Sequence, residues 1–119
     1  MKRHLCLYIS LMVLASALAT GCSAPRDREA TLKQDLRMMR DAIDRFTLDK
    51  QQAPRSLQDL VDGHYLKEIP TDPFTRKKDW VPQFNTVVLS STQTRTGLVD
   101  VQSNSPMKSP FDGTPYNEW

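Results

Sequence analysis

An uncharged run of 16 residues, Leu5 to Thr20, stops directly before Gly21-Cys22, and that junction decides how much of this 119-residue chain is left to fold. Lys2 and Arg3 supply a basic start ahead of the run. Ala19-Thr20-Gly21-Cys22 reads as a lipobox: a small residue, then a cysteine whose thiol takes up diacylglycerol before the leader is cut. On this reading residues 1–21 are a lipoprotein-type signal peptide. Cys22 is then the lipidation site, and the mature chain faces a compartment outside the bacterial cytoplasm. Two alternatives stand beside it. The run is short against the roughly 20 residues of a membrane-spanning helix, but a tilted or snorkelling anchor can use it. Cleavage after Gly21 without lipid is the other.

Removing residues 1–21 of 119 leaves 98, enough for one small domain with a modest core. The chain has 16 basic and 14 acidic residues; Lys2 and Arg3 leave with the signal, so 14 of each remain. That balance argues against an electrostatically driven nucleic-acid partner. Cys6 leaves too, so no disulfide framework and no cysteine metal cluster is available.

Residues 23–28 are polar and include Pro25, suiting a short tether or a helix start. From Glu29 to Lys50, Leu32, Leu36, Met39, Ile43 and Phe46 recur at helical spacing with charges between them, predicting one long amphipathic helix. Asp41 and Asp44 fall among Arg37, Arg40 and Arg45 in a pattern of ordinary surface ion pairing. The stripe predicts packing on a small sheet, with Ile43 and Phe46 buried beneath a hairpin. Ser56-Leu57-Gln58-Asp59 carries a capping signal for a short second helix, which Gly63 would stop. Ile69-Pro70-Thr71-Asp72-Pro73-Phe74 predicts a rigid turn in which the Asp72 carboxylate accepts nearby amides. Arg76, Lys77 and Lys78 read as a solvated connection. Trp80–Ser90 and Leu98–Gln102 predict two antiparallel strands with Ser91–Thr96 as the turn. Ser103–Trp119 holds three prolines and little periodicity. Phe111, Tyr116 and Trp119 are its large anchors, and Trp119 is expected to pin the loop to the sheet.

Catalytic constellations are scarce, and no enzymatic activity is expected. After processing His64 is the only histidine, which leaves no triad set. There is no phosphate-binding glycine loop and no His-Glu-x-x-His. Calcium takes six to eight oxygens. Ser103, Asn104, Ser105, Asp112 and Thr114 offer oxygens, but Asp112 is the one carboxylate inside the loop, flanked by Asp100 and Glu118. The residues by themselves favour a metal-free loop.

In order along the chain, Met39 to Lys50, Ala53 to Val61, Tyr65-Leu66 with Pro70-Thr71-Asp72-Pro73-Phe74, and the closing Asp112-Gly113 and Trp119 resemble the major pseudopilins of type II secretion, the general secretion pathway protein G family. The resemblance covers Glu29 to Trp119. It implies an α+β fold in which a long N-terminal helix packs on a small antiparallel β-sheet with an ordered C-terminal loop. Residues 22–52 would form tether and helix, and 53–119 the pseudopilin-like head. The family's subunits stack into a short periplasmic filament thought to push folded exoproteins through an outer-membrane channel. Members often hold calcium in the C-terminal loop, which would make Asp112 the charged ligand with oxygens near Ser103.

The chain departs from that pattern in two places. A prepilin is cleaved after a glycine ahead of its apolar helix and carries a glutamate within it; here no glycine precedes Leu5, and Leu5–Thr20 contains no glutamate. Pro106 stands where the family's loop commonly has an acidic residue. Together these features predict a non-catalytic envelope lipoprotein with a structural or protein-binding role in or near type II secretion or pilus machinery. Its partners would be the membrane, through lipid, and other proteins. The alternatives are a true pseudopilin subunit that keeps residues 5–20 as transmembrane and filament-core helix, and a small envelope enzyme or ligand binder on the same fold.

Overall fold

The computed structural model describes residues 25–119. The signal segment, Leu5–Thr20 and Cys22 lie outside the described residues. Helix α1 spans Pro25–Lys50 and begins four residues before Glu29, so of the two readings of residues 23–28, tether or helix start, the helix start holds from Pro25 onward. Proline suits this first position, where its missing N–H has no intrahelical acceptor to lose. Asp27 lies in the first turn and Lys50 in the last, each opposite in sign to the helix end it occupies. The buried face is Glu29, Leu32, Leu36, Met39, Ala42 and Ile43. Phe46 is only half-buried, set edge-on to Tyr65 with ring centroids 5.3 Å apart. It covers the Tyr65 side of the core rather than lying beneath the hairpin.

Helix α2, Leu57–Asp62, packs Leu60 into the core with Leu57 and Val61 at its margin. Ser56 occupies the N-cap position in extended backbone, but its side chain makes no cap bond. Asp59 Oδ2 instead accepts the Arg55 N–H at 2.8 Å, so the acid supplies the local tie. Gly63 ends the helix at φ −84°. The left-handed residue is His64, at φ +63°, and it is exposed. The amides of Tyr65 and Leu66 both return to the Leu60 carbonyl, folding the chain back on the core.

Strands β1, Val81–Ser90, and β2, Gln93–Gln102, form a two-stranded antiparallel sheet. Val81 pairs with Gln102, Thr86 with Thr96, and Ser90 with Gln93. The turn is therefore Ser91-Thr92, and the polar stretch 93–97 is strand. Its residues before Gly97 are exposed, and at a solvated hairpin end threonine and glutamine side chains fit a pleated surface without needing a core. Leu98 and Val101 are buried, and α1 packs on β2 rather than on β1. Residues 53–54 lie along β2: Leu98 N–H donates to the Pro54 carbonyl at 2.8 Å. A Cβ at Gly97 would fall 2.4 Å from that of Ala53. Glycine is what allows this close approach.

After β2 the chain forms an ordered loop. Ser109 N–H bonds the Thr114 carbonyl, Lys108 and Pro115 make a bridge, and a 3₁₀ turn at Tyr116–Glu118 closes it. Tyr116, 1% exposed, is the principal anchor. Phe111 stands 53% exposed with the Arg26 guanidinium over its ring. Trp119 packs on Tyr116 and under Lys33 of α1. The loop end thus meets both layers: Lys33 and Arg40 of α1 hold Trp119, while the 3₁₀ turn lies against β2. The architecture is α+β: one long helix over a two-stranded antiparallel sheet.

Candidate functional site

The tightest polar arrangement is built around Asp72. Pro70 and Pro73 restrict the backbone on either side, which leaves the carboxylate aimed inward. Asp72 is fully buried. Its Oδ1 accepts the N–H groups of Phe74, at 2.8 Å, and Thr75, at 3.3 Å. Its Oδ2 accepts the hydroxyl of Ser103. Ser103 Oγ in turn accepts the Ser105 N–H, and Ser105 Oγ accepts that of Met107. A single carboxylate therefore ties the proline turn to the first residues of the C-terminal loop. The Trp80 indole N–H closes the far side by donating to the Pro70 carbonyl at 2.7 Å. Next to it Asp79 accepts from the Thr75 hydroxyl and the Asn104 amide. The Thr75 bond is the main cause that holds the Asp79 carboxyl below the ordinary aspartate range.

Phe74 carries the turn into an aromatic stack. Its ring lies 3.9 Å from that of Tyr116 at 21°, and Trp119 meets Tyr116 edge-on at 5.0 Å. The Tyr116 hydroxyl donates to Glu29 Oε1 at 2.8 Å, which explains why a glutamate is buried on the inner face of α1. Burial first, and then this hydrogen bond, push the phenol up to about 12. On the same helix Asp35 is raised, chiefly by burial and then by the negative charge of Asp72.

A third tie joins α1 to both ends of the loop. Arg40 Nε donates to Asp100 Oδ1 at 2.6 Å. Its Nη2 donates to the carbonyl of Val101 at 3.1 Å and to the main-chain oxygen of Trp119 at 2.9 Å. Arg40 is therefore a bracket across α1, β2 and the chain end rather than a member of a surface pairing with Asp41 or Asp44. Beside it opens a shallow groove of about 420 Å³ lined by Lys33, Leu36, Arg37, Arg40, Asp41 and Trp119.

Ser103 and Asp112, the two residues put forward for calcium, belong to separate networks. Ser103 is buried against Asp72. Asp112 is exposed, and its Oδ1 accepts the Thr114 N–H at 2.8 Å, the main cause of a carboxyl below its usual range. Asn104 is turned to Asp79, and Ser105 points into its own loop. Among the described residues no group of three or more histidine, cysteine, aspartate or glutamate side chains is placed to hold a metal ion. Cys22 lies outside the described residues. His64 stands on an exposed turn.

The amide-accepting role of Asp72 was legible in its Pro-x-Asp-Pro setting. Its bond to Ser103 was not, since 31 residues separate the two. Glu29, Tyr116 and Arg40 were likewise missed as a linked set. The one available signal was Glu29 itself, an acid in phase with the apolar stripe three residues before Leu32. Every buried side-chain polar atom among the described residues has a partner. The arrangement is chemically a set of structural ties that present an exposed helix face and groove. No family model, curated protein or solved structure matches this chain.

Proposed function

We propose that this chain is a non-catalytic, pseudopilin-like envelope lipoprotein, tethered by lipid at Cys22 with its head in the periplasm. Its role is structural or protein-binding, in or near type II secretion or pilus machinery. The observation that carries the reading is the position of the Pro-x-Asp-Pro-aromatic turn. Two of the residues on which the resemblance rests, Asp72 and Phe74, also join the proline turn to the C-terminal loop, through Asp72–Ser103 and Phe74–Tyr116. A motif so placed defines the head as a unit. The polar groups around it are satisfied internally and oriented for holding rather than for reaction.

The second reading, a true subunit that keeps residues 5–20, draws support from α1. The helix reaches back to Pro25, leaving Ser23 and Ala24 between it and Cys22. Two measurements test the first reading. Cys22→Ala is expected to shift the chain from the membrane pellet to the soluble fraction, since a multiply acylated cysteine anchors firmly and an unacylated one does not. Deletion of the chain in its own host is expected to reduce exoprotein release or pilus output. Normal secretion and normal pili after deletion would reject the assigned role.

A further inference from the structure

The sheet has one covered edge, along β2, and one along β1 where the Thr86 N–H is met only by the side chain of its neighbour, Asn85 Oδ1, at 2.7 Å. On β2, Leu98 already donates beyond the ladder to Pro54, and Gly97 is pressed against Ala53. On β1, no strand among the described residues lies beyond the pairing with β2, and α1 packs on β2. Natural edge strands are usually protected by charge, a bulge or a covering segment. Here Trp80 to Thr94 contains no charged residue. The ladder is regular from Phe84 to Val88, with irregularities only before and after. Phe84 and Val88, on the same face by strand alternation, are 55% and 70% exposed.

We propose that β1 of one chain pairs antiparallel with β1 of a second copy, about a two-fold axis at Thr86, to form a closed four-stranded dimer. The spacing selects this partner. In that register Phe84 faces the second copy's Val88, and Val88 faces its Phe84, two aromatic–β-branched pairs of the kind that stabilise sheets. Thr86 faces its own equivalent. Asn85 faces Val87, and Pro82, which has no N–H to donate, falls near the end of the contact opposite Ser90. No charge is brought against a like charge, because the segment has none. The apolar positions read the same in both directions, as an isologous interface requires. An unrelated strand would have to bring its own matching spacing. The assembly stops at two because Ala53 and Pro54 already lie along the outer edge of β2 at Gly97 and Leu98. This inference stands apart from the proposed role in secretion.

The test uses the full chain with single added cysteines. Cα atoms directly opposite in an antiparallel ladder are about 4.5–5.5 Å apart, inside the roughly 4.4–6.8 Å window for a disulfide. Thr86→Cys is therefore expected to cross-link under mild oxidation, read by mass spectrometry as a disulfide between two copies of the tryptic peptide 79–95. Ser90→Cys, on the same exposed face, would sit roughly 27 Å from its equivalent and is expected not to link. Thr86→Lys sets two ammonium groups opposite each other at the axis. It is expected to abolish the dimer seen in sedimentation equilibrium while keeping the parental circular-dichroism spectrum, with the melting temperature falling to that of the parent diluted to monomer. Absence of the 79–95 homodimer peptide, equal linkage from both cysteine variants, or an unchanged dimer fraction in Thr86→Lys would each overturn the proposal.

Discussion

Removing the Asp72 carboxylate should nearly unfold the head, while trimming its charge should not. In Asp72→Ala the N–H of Phe74 and the hydroxyl of Ser103 lose their acceptor in a site without solvent, and the Thr75 N–H loses its weaker contact. A buried polar group left unpaired costs about 1–3 kcal/mol. Two well-made bonds to a charged acceptor therefore give a loss of about 3–5 kcal/mol, the range for breaking a buried charged network from one side. A domain of this size holds about 5–15 kcal/mol in all, so the variant should melt early or fail to fold. Asp72→Asn keeps Oδ1 for the two amides. Its new Nδ2 donates to Ser103 Oγ, whose hydroxyl can turn elsewhere, and the expected loss is about 1–2 kcal/mol. Urea titration followed by circular dichroism reads both. The Ser103→Ala variant completes a cycle, and a coupling above about 0.5 kcal/mol is expected for groups in contact. A loss below about 1 kcal/mol in Asp72→Ala, within the range of an ordinary surface change, would refute the reasoning. Equal large losses in the alanine and asparagine variants would show that charge, not hydrogen bonding, holds the turn.

Three further outcomes follow from particular contacts. Gly97→Ala forces its Cβ against that of Ala53, and strain of this kind is expected to cost about 1–3 kcal/mol in the same titration. Ile43→Ala, at a buried position, should cost about 2–5 kcal/mol, and Phe46→Ala, half-buried beside Tyr65, clearly less than full removal of a core aromatic; equal losses would contradict the placement of Phe46. Asp35 is raised above its unfolded value by burial and by Asp72, so the folded state binds its proton more tightly and Asp35 disfavours folding once pH rises through its folded pKa. Asp35→Asn is therefore expected to raise the melting temperature at neutral pH and to lose that advantage below the ordinary aspartate pKa, where the parental side chain is protonated in both states.

The elements with strong local periodicity were legible in the chain. The stripe from Leu32 to Ile43 announced α1, and the β-branched run after Trp80 announced β1. What depended on distant partners was less so. The polar residues 93–96 gave no apolar alternation, yet backbone pairing with β1 makes them strand. Trp119 was visible as an anchor by size, but its destination was set by Lys33, Arg40 and Tyr116, which only the folded chain brings together. Glu29 stands in phase with the apolar stripe, and its burial follows from a tyrosine 87 residues away. Local chemistry is written in neighbours, and these ties join segments with no sequence relation to each other.

The central claim is that the head is a lipid-tethered unit and not the end of a retained pilus helix, and intact-mass spectrometry of the protein extracted from membranes tests it directly. The lipoprotein account predicts a mass short by residues 1–21 and increased by diacylglycerol and acyl groups on Cys22, with Cys22→Ala keeping the full unmodified mass. An unlipidated chain still holding Leu5–Thr20 in the membrane would contradict it and make this protein a subunit anchored by its own helix.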